Sequence, residues 1–436
     1  MNKKLFSIVI SVFCCSISNA SDLKELVSSA GINFLFIKDS SSNLVHMKIA
    51  FRNAGSAHQE KSKVGLPLFY STTVFCGTGA YSKDKFAEAC QDLSANILCK
   101  SDMDNFYFSL TAPTTVLKQS ATLFNIAIKS PNFEEDKVKI IQNSVMCFIQ
   151  NHAANPEQIA SSSILPSIIF KLHDYESGEF GYPEDFMKLS IKDLKNYKAI
   201  FLVTSNAEVC VYGNISEAEA IALVDQVFSG IEKRTKSEDK IKDVTLQQKS
   251  ETKKYYADGP QSSVFFVLKT ERPLSAKRYA ALLLYRILGE GGAFKARILS
   301  RLRTEKGLIY SGGVSTIDLN HASYIFGSLK TDNSKVQSTI ELLKVILKEL
   351  REKGINESEL QFAKNNIKGS MLVKLRTSDA ICSFYFNRKL QGLGTMMLSD
   401  TIEKIDKVSL KEVNAIANEI LDENNMLFLV IGGGEK

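Results

Sequence analysis

The apolar positions of this chain change period in an order that runs once through the first half and again through the second. Residues 45–51, Val-His-Met-Lys-Ile-Ala-Phe, open the first half with strand-like text. A helical stretch is expected from about residue 65 and a second over 83–93. Residues 96–100 and 105–111 read as a hairpin-like pair, with Met103-Asp104 near its turn. Apolar residues at helical spacing mark 116–129 and 134–150 as long amphipathic helices. The half closes on Glu208-Val209-Cys210-Val211-Tyr212-Gly213, a buried strand ended by glycine, with a helix from Ser216.

The second half replays the order. Strand text over 263–269 is followed by a helix over 275–288, then by a hairpin-like pair over 310–317 and 323–331. Helices are expected over 335–353 and 356–375, and residues 426–432 match the closing strand of the first half. A repeat this long signals duplicated domains and not a solenoid of short units. The expected architecture is α+β: two homologous domains, each an antiparallel β-sheet covered by helices on one face. They span residues 21–231 and 255–436, joined by a polar, charged linker at 232–254 that lacks periodicity.

The length of 436 residues suits two cores better than one. A net charge of +6 is mild and its lysines are dispersed, which argues against a nucleic-acid footprint. The first twenty residues stand apart. Lys3 and Lys4 precede an apolar run from Leu5 to Cys15, and Ser18-Asn19-Ala20 puts small residues where a signal peptidase cuts. This predicts a cleaved leader ending near Ala20 and a periplasmic or secreted mature chain. Val12-Phe13 ahead of Cys14 and Cys15 is a poor match for a lipid-attachment box, and no later run is apolar enough for a membrane span. Six cysteines remain after the leader, namely Cys76, Cys90, Cys99, Cys147, Cys210 and Cys382. No CxxC pair or zinc-ribbon spacing occurs among them, and buried free thiols are the expectation.

Two segments carry the candidate chemistry. Gly65-Leu66-Pro67-Leu68-Phe69-Tyr70-Ser71-Thr72-Thr73-Val74-Phe75-Cys76-Gly77-Thr78 resembles the G-L-x-H-x-x-E-H-x-x-F-x-G-T helix of the pitrilysin/insulinase family of zinc peptidases, especially its processing-peptidase-like branch. Gly65, Leu66, Phe75, Gly77 and Thr78 match the frame. The resemblance implies that the two ligand histidines would fall at Leu68 and Thr72 and the general-base glutamate at Ser71. It places the third ligand, a glutamate on a later helix, at Phe148, ahead of Ala154-Asn155-Pro156. Residues four apart on one helical face can share a zinc ion, and a glutamate between them can activate its water. Leucine and phenylalanine cannot ligate, threonine is a poor zinc ligand, and serine has no useful basicity near neutral pH. His46, His58, His152, His173 and His321 supply no pair three or four residues apart. The chain is therefore expected to hold no metal of its own.

The second segment, Leu302-Arg303-Thr304-Glu305-Lys306-Gly307-Leu308-Ile309-Tyr310-Ser311, resembles the family's L-R-x-x-x-G-L-x-Y-S. In active relatives that arginine and tyrosine reach a peptide substrate at the metal site, which implies substrate-binding roles for Arg303 and Tyr310. A charge-assisted hydrogen bond to a substrate carbonyl contributes about 1.5–3 kcal/mol, and a phenol can donate to a developing oxyanion. Gly289-Glu290-Gly291-Gly292 lacks the strand-loop-Gly-Lys-Ser/Thr context of a phosphate loop.

The expected function is that of a non-catalytic subunit in an exported heterodimeric zinc peptidase. It would pair with a homologous HxxEH-bearing subunit that holds the zinc, and bind an extended peptide. The alternative is a non-proteolytic binding or scaffold protein of the same fold. A hydrolase built on other residues has no Gly-x-Ser-x-Gly elbow in its favour.

Overall fold

One sheet in each half of the chain carries the structure, as the repeated pattern predicts. The computed structural model describes residues 22–155, 158, 160–235, 238–244, 251–293 and 295–433. The leader expected at residues 1–20 lies outside them. In the first domain β1 (Asp22–Val27), β2 (Asn33–Lys38) and β3 (Leu44–Arg52) precede α1 (Leu66–Thr73). A small ribbon, β4 (Gly77–Thr78) with β5 (Tyr81–Ser82), leads to α2 (Lys83–Asp92). The hairpin β6 (Asn96–Ser101) and β7 (Asn105–Pro113) follows, then α3 (Leu117–Lys129) and α4 (Glu135–Ala154). Short helices α5 (Leu165–Ile169) and α6 (Pro183–Phe186) lead to α7 (Ile191–Phe201), β8 (Ala207–Gly213) and α8 (Glu217–Phe228).

The second domain begins with β9 (Glu251–Tyr255) and β10 (Gln261–Lys269), followed by α9 (Arg278–Leu288), β11 (Ile309–Asp318) and β12 (Ser323–Asp332). Long helices α10 (Val336–Lys353) and α11 (Glu357–Lys374) are followed by α12 (Ser378–Leu390), α13 (Leu398–Lys407) and α14 (Leu410–Ile420). The closing strand is β13 (Leu427–Ile431).

Strand orders are β1-β2-β8-β3-β7-β6 and β11-β12-β10-β13-β9. In the first sheet Met47 of β3 lies between Leu110 of β7 and Val211 of β8. In the second, Phe266 of β10 lies between Gly327 of β12 and Phe428 of β13. Thus β3 corresponds to β10, β7 to β12, β8 to β13, and the edge strand β6 to the edge strand β11. Pairing is antiparallel except for one parallel junction in each sheet, β2 with β8 and β9 with β13. Strand β9 includes residues 251–254, which the sequence pattern assigns to the linker. Its Glu-Thr-Lys-Lys text is polar because β9 is an exposed edge.

Each sheet is covered on both faces, where the pattern led us to expect helices on one. Alternate side chains of a strand point to opposite faces. Phe34 and Phe36 of β2 and Val209 and Val211 of β8 enter the core under the first domain's own helices. Leu35, Ile37, Cys210 and Tyr212 point the other way, onto Cys382, Tyr385 and Phe386 of α12, which belongs to the second half of the chain. The exchange is reciprocal. Val264, Phe266 and Leu268 of β10 face helices of the second domain. Phe265 and Val267, with Leu427, Leu429 and Ile431, face Ala160, Leu165, Phe170 and Tyr175 from the first. Full burial of a large apolar side chain contributes about 1.5–3 kcal/mol, so the two domains are held by core packing and not by a surface contact.

Polar groups lock the same junction. Asp104, 4% exposed, follows β6 at its turn into β7. Its Oδ1 accepts from the Tyr175 hydroxyl at 2.5 Å and its Oδ2 from the Asn320 backbone N–H, across the domain boundary, at 2.9 Å. The expected linker is docked here too. Ile241 is buried in the shared cluster, and the His321 ring bonds to Asp243 at 3.0 Å and Asp239 at 2.9 Å.

Two titrations at this junction oppose one another. Burial pushes the Asp104 carboxyl up to about 6, despite the hydrogen bonds it accepts. Burial pushes the His58 imidazole down to about 4, and its Nε2 is buried without a hydrogen-bond partner. The raised carboxyl contributes stability at low pH that is lost as pH rises through about 6. The depressed histidine contributes stability above its unfolded value that is lost as pH falls toward 4. Each swing is about 3 kcal/mol, so they nearly cancel. His58→Asn is therefore expected to gain stability relative to the parent as pH falls from 6.5 to 4.5. Urea midpoints of both proteins at the two pH values measure the difference, and parallel profiles would refute it.

Candidate functional site

Helix α1 is short, with Pro67 in its first turn, where a missing N–H costs nothing. Leu66, Phe69, Tyr70 and Thr73 are buried, while Leu68, Ser71 and Thr72 share the half-buried face. Both hydroxyls on that face are turned back onto their own helix. Ser71 Oγ donates to the Leu68 carbonyl at 2.8 Å, and Thr72 Oγ1 to the Leu68 and Phe69 carbonyls at 3.1 and 3.0 Å. Strand β6 runs alongside, where Cys99 Sγ donates to the Ser71 carbonyl at 3.1 Å. Burial pushes the Cys99 thiol up to about 12, so it stays protonated there.

Helix α4 packs against α1 and brings Phe148, 48% exposed. Its ring meets Phe180 edge-on at 6.0 Å. The ligand positions of the resemblance thus fall on adjacent helices beside a sheet edge, but their chemistry does not fit zinc. Two side chains have no donor atom, and the two hydroxyls bond to backbone carbonyls. Among the described residues no three His, Cys, Asp or Glu side chains group as a metal site needs.

In the second domain a π-helical segment, Leu299–Glu305, flanks edge strand β11 as α1 flanks β6. Arg303 sits exposed near its end. Of the carboxylates nearest in sequence, Glu305 pairs with Arg301 at 3.3 Å and Glu290 with Arg286 at 3.7 Å. Tyr310 is the extra residue of a β-bulge: Ile309 pairs with Thr331 and Ser311 with Lys330. A bulge re-aims a side chain out of the regular ladder, and Tyr310 is 49% exposed. Its hydroxyl donates to Asp332 Oδ1 at 2.5 Å, and that carboxylate also holds Lys335 at 2.7 Å. Neither the bulge nor Asp332 is announced by sequence spacing.

A cavity of about 1140 Å³ lies between the domains. Arg52 and Glu208 line it from the first domain, and Lys269, Arg272, Asp318 and His321 from the second. It takes charged groups of both signs from segments far apart in sequence, so no local pattern marks it.

Residues 36–178 match the model of the Insulinase (Peptidase family M16) domain, and residues 188–367 match that of the Peptidase M16 inactive domain. The chain belongs to the insulinase family, peptidase family M16. Among its M16 relatives is the non-peptidase homolog YmxG of Helicobacter pylori, 21% identical over 441 aligned residues that cover all of both chains. The uncharacterized zinc protease YmxG of Bacillus subtilis is 23% identical over 87% of this chain and 91% of its own. A crystal structure of the peptidase M16 inactive domain from Pseudomonas fluorescens superposes with a TM-score of 0.88 at 20% identity, covering 95% of this chain and 98% of that one. A protease from Helicobacter pylori superposes with a TM-score of 0.83 at 16% identity, covering 94% and 99%. The two-domain M16 fold is therefore shown. With no HxxEH motif in its sequence, this M16 member fits a non-catalytic role.

Proposed function

We propose that this chain is the non-catalytic subunit of an exported, heterodimeric M16 zinc peptidase. The observation that carries the reading is an asymmetry between its domains. The first has replaced every zinc-site position, at Leu68, Ser71, Thr72 and Phe148, while the second retains Arg303 and Tyr310 beside edge strand β11. In this reading the homologous partner holds the zinc, and this chain grips an extended peptide. The peptide adds to an open strand edge through backbone hydrogen bonds. Arg303 binds a peptide carbonyl and Tyr310 donates to the oxygen on which charge develops, after exchanging Asp332 for substrate. Export follows from the leader ending near Ala20 and makes the complex periplasmic or secreted. Among the described residues no helix is long and apolar enough to cross a membrane.

The test is cleavage of an unstructured peptide by the mature chain alone and mixed with an HxxEH-bearing homologue from the same genome, with and without chelator. Inactivity alone, with chelator-sensitive activity in the mixture above that of the homologue, is expected. Activity from this chain alone would overturn the reading. In the active mixture, Arg303→Ala should lower kcat/KM about 10- to 100-fold, the loss of one charge-assisted hydrogen bond, with the melting temperature unchanged. Unaltered turnover would remove Arg303 from substrate binding. The hydrogen bond holding Tyr310 to Asp332 within its own domain favours the alternative, a non-proteolytic scaffold, and silence of both proteins in the assay would support it.

A further inference from the structure

Cys210 on β8 and Cys382 on α12 lie 172 residues apart in sequence, one in each domain, yet their sulfurs are 3.9 Å apart. Both side chains are fully buried. They meet where the second half of the chain covers the first domain's sheet, flanked by Leu35, Ile37, Tyr212, Tyr385 and Phe386. Both are free thiols here; a disulfide needs a sulfur separation near 2.0 Å, so the sulfurs must approach by about 2 Å to join. Polar contacts already fix α12 over this spot. His46 Nε2 meets Ser378 Oγ at 2.7 Å, and Lys48 reaches Asp379 at 2.7 Å near one end of the helix. At the other, Arg52 donates to the Leu390 carbonyl at 3.0 Å. The two cysteines are thus presented to each other by a docked helix and are not a chance encounter of mobile side chains.

We propose that Cys210 and Cys382 form a disulfide that staples the second half of the chain to the first domain's sheet. The oxidant is a disulfide donor, a thiol-disulfide oxidase or glutathione disulfide. One cysteine thiolate attacks the donor, giving a mixed disulfide and releasing one donor thiol. The other cysteine thiolate then displaces the second donor thiol. Two protein S–H bonds and one donor S–S bond become one protein S–S bond and two donor S–H bonds, and two electrons pass to the donor. Burial, together with the contact to Cys210, holds the Cys382 thiol well above its ordinary value. The thiolate that starts the exchange is therefore scarce once α12 is seated, and the bond forms as the helix docks during folding. Buried afterwards, it is shielded from reductants. The exported location proposed above supplies the oxidising surroundings such a bond needs, but the geometry does not depend on it.

The test uses the full mature chain, refolded from the reduced, denatured state in a glutathione redox buffer, then acid-quenched and alkylated under denaturing conditions. The expected result is one linked peptide pair containing Cys210 and Cys382, with Cys76, Cys90, Cys99 and Cys147 alkylated. Reductant is expected to lower the melting temperature of the oxidised protein by about 5–10 °C. Cys210→Ser and Cys382→Ser should each melt near the reduced parent and lose that response. Six alkylated cysteines after oxidative refolding, or linkage through other cysteines, would overturn the proposal whether or not the serine variants fold.

Discussion

Asp104→Ala is expected to destabilise the protein by about 2–5 kcal/mol, with the damage concentrated at the domain junction. The carboxylate accepts from the Tyr175 hydroxyl and the Asn320 N–H; Asp104 and Tyr175 are buried and Asn320 is half-buried. Removing it orphans two donors, each costing about 1–3 kcal/mol. Because Asn320 belongs to the other domain, the loss should appear as opening before unfolding. The segment 238–244, seated here through Ile241 and His321, should become a site of rapid proteolysis. Asp104→Asn keeps the shape and one acceptor and should lose less. Melting temperature and limited proteolysis measure both effects. An alanine variant that melts within a degree or two of the parent, with an equally resistant linker, would show that the junction is held by its apolar contacts alone.

A still larger effect is expected from Gly55→Ala. The backbone at Gly55 is ordinary, with φ −78° and ψ −177°, so no left-handed conformation demands glycine there. Proximity demands it. A Cβ on Gly55 would lie 2.4 Å from the Asp104 nitrogen and from the Met103 carbonyl carbon and oxygen. All three are backbone atoms that cannot rotate away. The two segments are also bonded to each other, Gly55 N–H to the Asp104 carbonyl at 3.0 Å and Ala57 N–H to the Met103 carbonyl at 2.9 Å. To admit a methyl group the β6–β7 turn must shift, which breaks these bonds and carries the Asp104 carboxylate off its partners. A cost of about 3 kcal/mol or more is expected. Since both substitutions act through one turn, the double variant should lose less than the sum. Strict additivity in denaturant midpoints would refute that shared route.

Both variants act at a turn that the sequence marks as a hairpin but not as a joint between the domains, and the reason is physical. Period-2 and helical spacing describe how a segment meets its own domain, and they predict most of the elements close to where they fall, from β3 and the β6–β7 hairpin to β13. They say little about what lies on a strand's far side. The available signal was the unbroken apolar text of Phe34–Ile37, Val264–Leu268 and Leu427–Ile431. Such runs belong to strands buried on both faces, and they imply a second cover without naming its source. Strand β9 was hidden for the opposite reason, since a solvent-exposed edge can be written in lysine and glutamate. At the candidate site, the framing glycines and Phe75 lead to α1 and to the positions Leu68, Ser71 and Thr72 on it, while Phe148 on α4 is reached only from the separate text ahead of Ala154-Asn155-Pro156. The bulge at Tyr310 and its bond to Asp332 depend on register between strands, which spacing does not encode.

The reciprocal covering of the two sheets makes the whole chain the smallest heritable part of this architecture. A cut between residues 235 and 251 would give two fragments, each with a bare apolar sheet face and a stray segment shaped for the other. Such halves can be expected to associate or aggregate, and neither could be exchanged with the corresponding half of a distant relative. Shuffling single domains would break the tongue-and-groove joint in both directions at once. Duplication followed by divergence of entire two-domain chains leaves it whole.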